Sequence, residues 1–193
     1  LHEDVKPDPL NYYGLTHSLA EESVFMYNRK DDIQCSVIRL PNILGAPLSW
    51  ESFNRWSLAP FDFCLQAAKS GSIVLKTAGN QKRNWLSINS MAVLVVNVAS
   101  LDKSPKCVHL VGTDISIANL AKTITASWES KFAKSVSLII PQSQSQEVDE
   151  PFRRFSTNYG FSSSTLSNAE DHEQFFSDFV GGVGHYLTNE GFE

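Results

Sequence analysis

NYYGLTHSLAEE, residues 11–22, is the stretch on which the reading of this chain turns. Tyr13 and His17 stand four apart at the start of a helical pattern. Tyr13, His17, Ala20, Val24 and Tyr27 follow at steps of 4, 3, 4 and 3, which places them on one helix face. The spacing predicts a helix from Asn11 to about Arg29. Arg29 and Lys30 then fall at its C-terminus, where the helix dipole favours positive charge. Glu21 and Glu22 are expected off the striped face. The stripe has two physical readings: a face packed on a neighbour, or a phenol and an imidazole presented together to a ligand.

Working outward, LHEDVKPDPL (1–10) is polar, holds two prolines and reads as a loop. QCSVIRL (34–40) is a short β-rich run stopped by Pro41, and PNILGAPLS (41–49) reads as a loop. WSLAPFDFCLQAAKSG (56–71) reads as a helix with Pro60 in its first turn and Gly71 as its stop. SIVLK (72–76) and NWLSI (84–88) are candidate strands around a turn-like AGNQKR (78–83). SMAVLVVNVASL (90–101) suits a helix with Ser90 as N-cap, but its valines leave a strand open. KCVHLVG (106–112) and SVSLIIP (135–141) read as strands, and ISIANLAKTITASWESKF (115–132) as a helix. QSQSQEVDE (142–150) reads as a polar linker, and roughly 168–187 as a last helix. Strands alternating with helices predict an α/β fold, and right-handed crossovers make much of its sheet parallel.

Composition narrows the function. Of 193 residues, 42% are hydrophobic and 19% charged, enough apolar content for a packed core. The net charge of −5, without a basic block, argues against a nucleic-acid partner. No apolar run reaches the ~18 residues of a membrane helix, and no signal peptide is visible. A cytoplasmic protein is therefore expected. Cys35, Cys64 and Cys107 are scattered, which fits buried free thiols better than disulfides or zinc. The carboxylates at 31–32 and 147–150 show no metal-binding spacing, so no metal is expected.

Four segments in order carry a resemblance: Tyr13-Gly14-Leu15-Thr16-His17 through Glu21, VIRLPNILGAP (37–47), GNQKRNWLSINSMA (79–92) and CVHLVGTDISIANLAKTI (107–124). Together they resemble the extended short-chain dehydrogenase/reductase family, the NAD(P)-dependent epimerases, dehydratases and reductases of nucleotide sugars. The family writes Tyr-Gly-x-Ser/Thr-Lys-x-x-x-Glu in the first segment, and this chain departs at His17. It writes Asp after the arginine of the third, where this chain has Asn84. The fold implied is the C-terminal part of a Rossmann-type parallel sheet plus a smaller α/β substrate-binding domain. On this resemblance residues 1–45 end the dinucleotide-binding fold. Residues 46–193 form mainly the sugar-nucleotide domain, with about 85–112 returning to the Rossmann sheet.

The resemblance also implies site residues. Tyr13 is the expected proton donor or acceptor, with His17 in place of the lysine that holds the cofactor ribose. Pro41 is expected beside the cofactor, and Asn42 and Arg83 against the substrate, Arg83 on its pyrophosphate. A free phenol titrates near ~10 and needs help at neutral pH. An ordinary imidazole, near ~6.5, is mostly uncharged there and helps less than a lysine. For Asn42 a turn residue is an equal reading, and for Arg83 a solvated turn residue is the bland one. His109, inside a strand, reads as structural, while Trp50, Trp56 and Trp85 could be core or pocket wall.

The cofactor implied is NAD or NADP, although the family's glycine-rich pyrophosphate turn does not occur in this sequence. The chain therefore reads as the second half of such an enzyme. It is expected to form a homodimer at full length through the tyrosine helix, with Met26 and neighbouring apolar residues in the contact. The alternative is a catalytically impaired binding or regulatory protein on the same fold.

Overall fold

A computed structural model describes residues 2–30, 34–103, 105–142, 154, 156–165 and 172–189. Helix α1 spans Tyr12–Lys30. Asn11 caps it: its side-chain oxygen accepts the Gly14 N–H at 2.8 Å, satisfying one of the donors a helix start leaves free. Gly14 lets Pro9 approach, since a Cβ there would lie 3.2 Å from the Pro9 Cβ.

Strand β1 (Val37–Arg39) pairs in parallel with β5 (Cys107–His109), setting Arg39 beside His109. The expected loop after Pro41 is in fact a strand. Without an amide hydrogen, Pro41 cannot continue a ladder, and the chain turns into β2 (Asn42–Leu44) of a second sheet. There β2 runs parallel to β4 (Lys82–Ser87), which pairs antiparallel with β6 (Thr113–Ser116). Neither β6 nor the start of β4 at Lys82 was visible locally, because both depend on a partner strand. A third sheet joins β3 (Ser72–Val74) to β7 (Ser137–Ile139) in parallel.

Helix α2 (Ala59–Ser70) keeps Pro60 in its first turn and ends at Gly71, whose φ of 62° suits a residue without a Cβ. The valine-rich segment is helical, α3 (Ile88–Ala99). Its cap is Ser87 and not Ser90: the Ser90 N–H donates to the Ser87 hydroxyl at 3.0 Å. Helix α4 (Ile117–Phe132) starts two residues later than its pattern suggests, after the Ser116 cap. Helix α5 is His172–Asn189. Most of the 142–150 segment lies outside the described residues, as do 168–171 at the start of the expected last helix.

The apolar residues gather in two cores. The larger is built by α2, α4 and α5 with β3, and holds Phe61, Ile73, Trp128, Phe176 and Val183. Trp85 is buried in it, while Trp50 and Trp56 pack half-buried on its edge, Trp50 stacking on Tyr186 at 4.4 Å between centroids. The smaller core joins α3 to β4 and β5 through Leu86, Leu94, Val98, Val108 and Leu110. The three cysteines are free. Cys64 is fully buried, but Cys35 and Cys107 are only half-buried. Burial pushes the Cys64 and Cys107 thiols up, so neither is disposed to ionise. Among the described residues no three of His, Cys, Asp and Glu gather as a metal set, and no helix is long and apolar enough to cross a membrane.

Candidate active site

The striped face of α1 is not packed. None of the helix's residues is buried, and Tyr13 is 75% exposed. The face instead forms one wall of an open cleft of about 630 Å³. Tyr13, His17, Ala20, Glu21 and Val24 line it from α1, and residues 36–41 line it from β1 and its flanks. The Tyr13 and His17 rings lie in contact, 4.5 Å between centroids and tilted by 59°. Three of the five expected site residues, Tyr13, His17 and Pro41, thus meet in one place.

Asn42 and Arg83 do not line this cleft. Asn42 lies on β2, where its side-chain amide donates to the Asn84 carbonyl at 3.0 Å. Arg83 is exposed on β4, one guanidinium nitrogen donating to the Lys82 carbonyl at 3.3 Å. Asn84 is buried. It donates to the Gly112 carbonyl at 3.1 Å and to Asp114 at 2.6 Å, and its oxygen accepts the Gly112 N–H at 2.7 Å.

Sequence reasoning missed the charged floor of the cleft. Glu21 was expected off the striped face, but 13, 17 and 21 are steps of four, each drifting only ~40° round a helix. Its carboxylate accepts two bonds from Arg39 of β1, at 2.9 Å from Nε and 2.7 Å from Nη2. Both side chains are 17% exposed. The available signal was an arginine inside the otherwise apolar run VIRL (37–40). The Glu21 bond raises the Arg39 guanidinium against the opposing effect of burial, so the residue stays charged.

The remaining Arg39 nitrogen, Nη1, faces the carbonyls of Glu3 (3.4 Å) and Val5 (3.3 Å) and the Nε2 of His109 (3.3 Å). Because arginine can only donate, Nε2 accepts. The proton is then assigned to Nδ1, which donates to the Ser156 carbonyl at 2.9 Å. His109 is 2% exposed, and burial, with Arg39 adding to it, holds the imidazole below its ordinary value despite Ser156 and Glu3. It is structural, as its strand position suggested. Burial alone would raise the Glu3 carboxyl. Bonds from the His109 N–H, the Thr157 hydroxyl and the Asn158 N–H outweigh it, leaving the group below the ordinary carboxylate value.

Residues 1–112, more than half of the chain, match the NAD dependent epimerase/dehydratase family. No curated protein matches the sequence. Among solved structures, RMD from Pseudomonas aeruginosa complexed with NADPH has a TM-score of 0.66 at 12% identity, covering 98% of this chain and 60% of that one. UDP-glucuronic acid 4-epimerase from Bacillus cereus in complex with NAD gives 0.61 at 19%, covering 97% and 54%. An L-threonine 3-dehydrogenase from a metagenome, in its apo form, gives 0.60 at 15%, covering 96% and 58%. At these identities the likeness establishes the Rossmann-like α/β fold alone. The chain spans between 54% and 60% of the length of these structures. By its match over residues 1–112, the chain belongs to the NAD dependent epimerase/dehydratase family.

Proposed function

We propose that this chain carries the proton-transfer part of an NAD(P)-dependent epimerase, dehydratase or reductase of nucleotide sugars, with Tyr13 as proton donor or acceptor. The observation that carries the reading is that the Tyr13–His17 face opens onto a cleft with Pro41 instead of packing into a core. The cleft is of ligand size. Its residues fit the nicotinamide–ribose end of a dinucleotide: the His17 ring can hydrogen-bond a ribose hydroxyl, and Tyr13 lies one turn away. The bound nicotinamide supplies or accepts hydride. Tyr13 gives or takes the proton on the sugar oxygen whose carbon is reduced or oxidised. Arg83 and Asn42 are proposed as substrate contacts outside the cleft, Arg83 offering an exposed guanidinium to a pyrophosphate.

The absence of a glycine-rich turn from these residues, with the 54% to 60% coverage of the solved structures, supports reading the chain as a portion of a longer enzyme. The smaller core, with Ile38 and Ile43 packed on Leu86, Leu94, Val98, Val108 and Leu110, supports grouping 1–45 with about 85–112 as a dinucleotide-binding part, beside a sugar-nucleotide part in the rest of 46–193; Leu44 and Trp85 reach across into the larger core. Leu15, Leu19 and Met26, exposed along α1, suit a homodimer contact through that helix.

A specific observation favours the second reading, a non-catalytic binding relative: His17 replaces the lysine, and the guanidinium at the cleft floor is already paired with Glu21. The test is steady-state turnover of the full-length protein and its Tyr13→Phe variant, with a panel of nucleotide sugars and both nicotinamides. Turnover lost on Tyr13→Phe is expected. Undiminished turnover in the variant sinks the catalytic assignment. Silence in both proteins, with nucleotide-sugar binding retained by calorimetry, establishes the second reading.

A further inference from the structure

We propose that Arg39 is a positioning residue: through its fork on Glu21 it sets where the Tyr13–His17 face stands relative to the cleft floor. The proposal rests on the reading of Tyr13 above. Its starting point is how weakly α1 is held by apolar packing, since none of its residues is buried. The helix is fastened to the rest of the described residues by two polar ties. Near its C-terminal end, Asn28 exchanges two bonds with the backbone of Cys35, at 2.6 and 2.7 Å. At its middle, Glu21 takes both Arg39 bonds. The first tie lies more than three turns from Tyr13 and cannot fix its angle. The second lies one turn beyond His17 and two beyond Tyr13, on the same face.

Arg39 suits that task because its own position is fixed from three sides. Strand β1 holds its backbone against β5, and its register partner is His109. Nη1 is turned to His109 and to the carbonyls of Glu3 and Val5, so the N-terminal segment also rests on it. Glu3 is in turn held by Thr157 and Asn158. A planar guanidinium with one edge on Glu21 and the other in this network transmits the strand's position to the helix. A lysine cannot, because its ammonium is a point charge without a fork.

The experiment uses the full-length protein with Arg39→Lys, Glu21→Gln and Tyr13→Phe. Two measurements are made: turnover at varied substrate concentration, and amide hydrogen exchange read by peptide along α1. For both Arg39→Lys and Glu21→Gln, kcat is expected to fall by about 100-fold, as a displacement of order 1 Å costs, with KM within about threefold. Exchange across residues 13–24 should rise by about tenfold while α4 keeps its protection. A purely stabilising pair would instead raise exchange throughout and leave kcat per folded molecule unchanged; that result overturns the proposal, as does unaltered exchange over 13–24. Turnover that survives Tyr13→Phe overturns the catalytic reading separately, and the exchange arm then still decides whether Arg39 holds the helix.

Discussion

Asn84 and Asp114 stand directly opposite each other across the antiparallel pair β4–β6, and the Asn84 amide donates to the Asp114 carboxylate at 2.6 Å. Directly opposed residues share a face of the sheet, so the identity of one constrains the other. The departure from the Asp of the resembling family is therefore matched within this fold.

Asn84→Asp is expected to destabilise the chain by about 2–3 kcal/mol at pH 7, since it sets two carboxylates together and leaves the Gly112 carbonyl without its donor. The repulsion needs both carboxylates ionised, so the penalty is full at neutral pH and is relieved in acid, where one of the two takes up a proton. Urea unfolding at pH 7 and pH 4 checks this, and a deficit equal at both would argue against it.

Gly112→Ala is expected to cost at least ~3 kcal/mol. A Cβ at Gly112 would collide with the backbone carbonyl of Trp85, which cannot move without disturbing the β2–β4 pairing. Gly71→Ala is the contrast: its φ of 62° disfavours a side chain, but nothing lies within 4 Å of the new atom. It should cost only about 1 kcal/mol. Thermal melts of the two variants should differ clearly.

Acid should loosen the site from beneath. The folded-state pKa of His109 lies below the ordinary 6.5, so the unfolded chain takes up the proton first. Its contribution is full above about pH 6.5 and is lost as pH falls below that, at no more than about 1.4 kcal/mol per pH unit. Glu3, also lowered, adds a loss in the same direction below 4.5. His109→Asn should flatten the stability profile between pH 7 and 5.5. An identical slope in variant and wild type would remove His109 from the explanation.

His17→Lys should raise turnover at neutral pH in the full-length protein, because a fixed ammonium one turn from Tyr13 favours the negative charge that develops on the phenol oxygen during proton transfer. Tyr13→Phe should abolish turnover while shifting stability by less than ~0.5 kcal/mol, because a side chain 75% exposed holds little of the fold together. A large stability loss in Tyr13→Phe would return the residue to a structural role.

What the sequence determined by itself was local. The stripe of α1, Pro60 and Gly71 bounding α2, and the alternation of strands with helices are all written in spacings of a few residues, and so were readable. The valines of α3 were not decisive, because β-branched residues suit a strand as well, and only capping by Ser87 and burial of Leu94 and Val98 chose the helix. Strands of three or four residues such as β2 and β6 exist through their partners, and nothing inside NIL or TDIS announces them. Tyr13, His17 and Pro41 could be named from a motif, but their meeting in a cleft, and the absence of Asn42 and Arg83 from it, depended on how α1 settles over β1. The pairing of Glu21 with Arg39, 18 positions apart, and of Glu3 with Thr157, 154 apart, belongs to tertiary structure alone. A carboxylate carries no information about which distant donor will reach it; the packing of the strands and helices decides that.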